Sequence, residues 1–81
     1  MEFVYTVHAR DMLTERAIPD AWVVRAVESP LRTESHDDGT THYLSEVPER
    51  NGRTLRVVMN TKVSPPVVVT VFFDRRLRRQ S

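Results

Sequence analysis

The chain has 81 residues, 40% apolar and 28% charged, with no cysteine and a formal net charge of +1. That length leaves no room for a second core, so a single domain over residues 1–81 is expected. The composition excludes a disordered chain, and the lack of cysteine excludes a disulfide framework or a thiolate metal site.

Phe3, Tyr5 and Val7 alternate with Glu2, Val4 and Thr6, which predicts a short first strand over residues 2–7. Over residues 8–16, Ala9, Met12 and Leu13, followed by Ala17, recur at the three- and four-residue spacing of one helical face. Ile18-Pro19-Asp20 breaks that pattern, and Pro19 suits the first position of a second helix. Trp22, Val23, Ala26 and Val27 form its apolar face, and Ser29-Pro30 ends it because the residue before proline avoids helical angles.

Residues 31–36 are mostly polar, which predicts a strand near a sheet edge. Asp38-Gly39 reads as a tight hairpin turn in which both residues accept positive φ, with residues 41–47 returning as the partner strand. Asn51-Gly52 marks a second turn. In residues 54–60, Leu55, Val57 and Met59 share one face, and Arg56 interrupts the other. Residues 67–73 are nearly all apolar, which predicts a central strand covered on both sides. They are also the longest such run and too short to cross a bilayer as a helix. The N-terminus has no signal-peptide pattern, so a cytoplasmic protein with no membrane partner is expected. Residues 75–81 read as a basic tail. The order is an α+β one: a short N-terminal strand, a two-helix hairpin, then a four-strand, mostly antiparallel sheet with the helices on one face. A domain this small gains stability from association, so a homo-oligomer or a bound partner is expected to add to it.

Residues 7–18, Val-His-Ala-Arg-Asp-Met-Leu-Thr-Glu-Arg-Ala-Ile, together with the helix stop at Ser29-Pro30, Leu55-Arg56-Val57-Val58 and Val68-Val69-Thr70-Val71, resemble an uncharacterised bacterial domain-of-unknown-function family, DUF4258. Its pattern is a His-Ala pair, an arginine eight residues after the histidine, and a closing Val-Thr-Val strand. Position 17 is alanine where that pattern leads one to expect glycine. The family is similar to the BrnT and RelE/ParE-like toxins of toxin-antitoxin pairs. The resemblance implies a RelE-like fold and a messenger-RNA endonuclease or translation inhibitor, with RNA or the ribosome as target and an antitoxin protein as partner.

Charge is divided along the chain. Residues 1–49 hold four arginines and ten acids, a balance of −6, whereas residues 50–81 hold eight basic residues and Asp74 alone, a balance of +7. The basic half suits a polyanion or the acidic half of its own fold. Eleven of the twelve basic residues are arginine, which suits bidentate phosphate contacts.

RNA cleavage by a ribose 2′-hydroxyl needs a base, an acid and positive charge at the phosphorus. The catalytic candidates are His8, Tyr43 and Arg56, and the substrate-binding candidates are Arg16, Arg53 and Arg75. His8 and Arg16 lie roughly 12 Å apart along a helix that rises about 1.5 Å per residue, so a shared site would need the substrate to bridge them. Each candidate also has a structural reading: capping or packing for His8, a salt bridge for Arg16, and a core position for Tyr43. Neither a cofactor nor a metal is expected. His36, Asp37, Asp38 and His42 cluster around a turn that needs no metal to explain it. Convergence of His8, Tyr43 and Arg53 or Arg56 on one cleft would favour a metal-independent endoribonuclease. Their scatter would favour a non-catalytic protein-binding module of the same fold.

Overall fold

Thr6 fixes both the start of the first helix and its attachment to the sheet. Its backbone is extended, and its Oγ1 accepts from the Ala9 N–H at 3.0 Å while donating to the Val69 carbonyl at 3.0 Å. In this computed structural model, which describes residues 2–77, a two-residue strand β1 (Val4–Tyr5) leads into helix α1 (Val7–Glu15). The helix stops in a Schellman turn: the Ile18 N–H bonds to the Leu13 carbonyl and the Ala17 N–H to the Thr14 carbonyl. That turn forces Ala17 to φ 53°, where glycine is the unstrained choice. Helix α2 (Asp20–Glu28) follows at once. Pro19 is its extended N-cap rather than its first helical residue.

Strands β2 (Arg32–Ser35) and β3 (Thr40–Val47) form the first hairpin. Only Gly39, at φ 88°, takes the left-handed conformation there, and Asp38 does not. The connection is therefore a three-residue turn closed by the His36 N–H on the Thr40 carbonyl. A 3-10 turn (Pro48–Arg50) and the left-handed pair Asn51 and Gly52 lead into β4 (Arg53–Asn60). Strand β5 (Val67–Phe73) closes the order.

The sheet has five strands, in the order β1-β5-β4-β3-β2, not the four expected. The difference is β1, which joins parallel to β5 through Val4↔Val67 and Tyr5↔Val68 and makes the sheet mixed. Its other pairings are antiparallel. The central strand is β4, buried over residues 54–59, and not the apolar run of β5, where only Val68 and Val71 are buried. β5 lies beside the short edge strand β1, so its apolar residues are half-covered. Between Val58↔Thr70 and Met59↔Val68 the register slips by one, leaving Val69 as a bulge whose carbonyl receives Thr6.

Both helices lie on one face. Ala9, Leu13, Ile18, Val23, Ala26 and Val27 pack against Tyr43, Val47, Leu55, Val57, Met59, Val68 and Val71. Strand alternation sends Glu34, His42, Leu44, Arg56 and Val58 to the helix-free face. Residues 74–77 do not leave as a free tail. The Asp74 N–H bonds to the Thr54 carbonyl, and Thr54 Oγ1 donates to the Leu77 carbonyl at 2.6 Å, so this segment folds back beside β4. The rest of the basic tail, residues 78–81, lies outside the described residues.

Candidate functional site

Hairpin register builds a polar cluster on the helix-free face. Glu34 stands opposite His42, and His36 closes the turn two pairs further on, opposite Thr40. β4 brings Arg56 beneath them, opposite Leu44, and the turn after β5 supplies Asp74. Arg56 is only 5% exposed, and a guanidinium at such a position needs partners on every side. It has them. Nε donates to Asp74 Oδ2 at 2.8 Å, and Nη1 to Glu34 Oε1 at 2.9 Å and to His42 Nδ1 at 2.7 Å. Among the described residues no buried side-chain nitrogen or oxygen lacks a partner.

These contacts fix the state of His42. An arginine can only donate, so Nδ1 of His42 accepts and Nε2 carries the proton. Nε2 faces Thr40 Oγ1 at 3.2 Å, and Thr40 in turn donates to Asp38 Oδ1 at 2.6 Å. The chain of donors thus runs one way, from Arg56 through His42 and Thr40 to Asp38. Burial, the neighbouring His36 and Arg56 push the His42 pKa down, which keeps the imidazole neutral.

His36 is held differently. Its Nε2 lies 3.2 Å from Glu34 Oε1, and hydrogen bonds from Arg56 and His36 pull the Glu34 pKa down to about 2. Glu34 is therefore a carboxylate that can only accept, so His36 Nε2 donates and its Nδ1 keeps a free lone pair in the neutral ring. The His36 side chain is 40% exposed, and its ring stacks on His42 with centroids 3.7 Å apart and planes 17° apart. Exposed Arg32 bonds to Glu34 Oε2 at 3.0 Å, and exposed Arg76 donates to Asp74 through its backbone N–H, Nε and Nη2. The Arg76 contacts are the main cause of an Asp74 pKa lowered to about 2.

Donor atoms of Glu34, His36 and His42 gather within 4.8 Å of one another, as in a metal site. The geometry does not suit one. Imidazole lone pairs lie in the ring plane, and two rings stacked 17° from parallel direct them side by side rather than to a common point. Arg56 Nη1 already stands between Glu34 and His42 and supplies the positive charge there.

The residues singled out from the sequence fall in different places. Arg56 is at the centre of the cluster. Tyr43 is buried in the helix-side core, across the sheet from Arg56, because neighbouring strand residues face opposite ways. His8 is exposed at the start of α1, with Nε2 3.2 Å from Thr70 Oγ1. The structure therefore does not bring His8, Tyr43 and Arg56 into one cleft. Arg16 is exposed at the end of α1, and its carbonyl accepts from Arg50. Arg53 and Arg75 line one cavity beside the turn after β5. Glu34 was missed as a member of the His36 and His42 group. A two-residue Asp38-Gly39 turn would have set position 35 opposite 42, and only the three-residue turn over residues 37–39 brings Glu34 there.

Residues 5–73 match the model of a family described as "Domain of unknown function (DUF4258)". No curated protein and no solved structure matches the chain.

Proposed function

The chain belongs to the DUF4258 family, and we propose that it is an RNA-directed protein whose helix-free sheet face carries a metal-independent endoribonuclease site. The observation that carries this reading is the unlike pair of stacked histidines: His42 locked neutral by Arg56, and His36 anchored to a carboxylate with its Nδ1 free. A carboxylate that orients an imidazole and leaves its second nitrogen open is an arrangement for general-base catalysis. His36 Nδ1 takes the proton of a ribose 2′-hydroxyl as that oxygen bonds to phosphorus. The bond from phosphorus to the 5′-oxygen breaks, a 2′,3′-cyclic phosphate forms, and the departing oxygen takes a proton from water. Arg32 and Arg76, exposed beside the cluster, offer positive charge to the phosphorane-like transition state. An RNA or ribosome target and an antitoxin partner, expected from the likeness of the family to RelE/ParE-like toxins, are part of the same proposal. In cells, inducing the protein is expected to arrest growth and generate new messenger-RNA ends. Folded protein that does neither in several bacterial hosts would remove the basis for this reading.

A second reading, a non-catalytic protein-binding module, has two observations in its favour. His8 and Tyr43 do not join Arg56, and β2 is a polar edge strand with one side unpaired in the sheet. It predicts a stable complex without turnover, and a strict monomer that captures no partner would count against it.

A further inference from the structure

We infer that the cavity between the start of β4 and the turn after β5 is a phosphate-binding subsite for single-stranded RNA. This deepens the RNA-directed reading and rests on it. The cavity has a volume of about 470 Å³ and is lined by Asn51, Gly52, Arg53, Thr54, Phe73, Asp74, Arg75 and Leu77. Arg53 and Arg75 are both exposed, and among the described residues neither has an ion pair or a hydrogen bond from its guanidinium. The Arg50 guanidinium sits 5.5 Å from the Phe73 ring centroid and donates to the Arg16 and Ala17 carbonyls, and among the described residues it has no carboxylate partner. The lining carboxylate, Asp74, is already taken by Arg56 and Arg76. What remains is a recess with uncompensated guanidinium groups and the side of an aromatic ring, which suits a phosphate with its base stacked beside it. Arg56 joins this recess to the histidine pair, since it bonds Asp74 with one nitrogen and Glu34 with another.

The test measures binding separately from cleavage, using the His36→Ala protein as background. Fluorescence anisotropy of a labelled octauridylate is followed against salt, with the same background carrying Arg53→Gln and Arg75→Gln, and with polyglutamate of equal charge as a competitor. Binding is expected to weaken in the double variant, and the slope of log affinity against log salt should fall by about 0.7 per arginine. Polyglutamate should compete poorly. An unchanged slope in the double variant, or equal competition by polyglutamate, overturns the subsite. RNA bound through these arginines by a protein whose wild type cleaves nothing would leave the subsite standing and reject the nuclease reading instead.

Discussion

His36 lies flat on His42, ring centroids 3.7 Å apart, yet opposite contacts govern the two imidazoles: an anion holds His36 and a cation holds His42. Arg56 donates to Nδ1 of His42 and so occupies the lone pair of that ring, whereas His36 meets Glu34 through Nε2. That asymmetry is the basis of the catalytic assignment, and it depends on Arg56 staying in place.

Arg56→Met removes the guanidinium between Asp74 and Glu34 and leaves the Asp74 side chain, 2% exposed, with Arg76 alone. Breaking such a buried pair is expected to destabilise the fold by about 3 kcal/mol, read from urea unfolding midpoints. Adding Asp74→Asn removes the stranded charge and should recover part of the loss.

Acid should destabilise the protein in two stages. Folding lowers the pKa values of Glu34 and Asp74 to about 2, below the unfolded values of 4.5 and 3.8, so the unfolded state binds more protons. Their contribution is complete above about pH 4.5 and is lost as pH falls toward 2. His42 is also lowered, from 6.5, so its contribution is present above that pH and begins to go below it. Unfolding midpoints measured from pH 7.5 to pH 3 should decline first below about 6.5 and again below about 4.5. A flat profile from 7.5 to 5 would argue against a neutral, half-buried His42.

Ala17→Gly should stabilise the protein by about 1 kcal/mol. Ala17 holds φ 53° in the turn that ends α1, a conformation that costs an alanine roughly that much and a glycine little. Thermal and urea unfolding would both report it. A loss of stability would mean that the turn is not in this conformation in solution.

Thr6→Ala should cost about 1 kcal/mol or somewhat more, since one hydroxyl both caps α1 and reaches the bulged Val69 carbonyl. Thr6→Ser keeps both bonds and should retain most of the stability, as read from unfolding midpoints.

Much of the fold was legible because local patterns agreed with it. The helical spacing of Ala9, Met12 and Leu13, the stop at Pro30 and the polar edge strand all reflect interactions within one or two elements. The centre of the sheet was not legible. Val67 to Phe73 is more apolar than β4, and only the parallel pairing of β1, a contact across 63 residues of chain, shows which strand lies in the middle. Arg56 stood out as an arginine in an apolar strand, but its partners come from positions 34, 42 and 74, on three other segments. Tyr43 and His42 could be assigned to opposite faces by alternation, whereas which face the helices cover is set by packing. The burial of Asp74 was hidden for the same reason, since it depends on β4.

The most direct test of the account is cleavage of end-labelled RNA by purified protein in the presence of EDTA, comparing wild type with His36→Ala and His8→Ala. The account predicts 2′,3′-cyclic phosphate ends from wild type, similar activity from His8→Ala, and a loss of at least ~100-fold in a folded His36→Ala. Full activity in His36→Ala, or none in folded wild type, would contradict it.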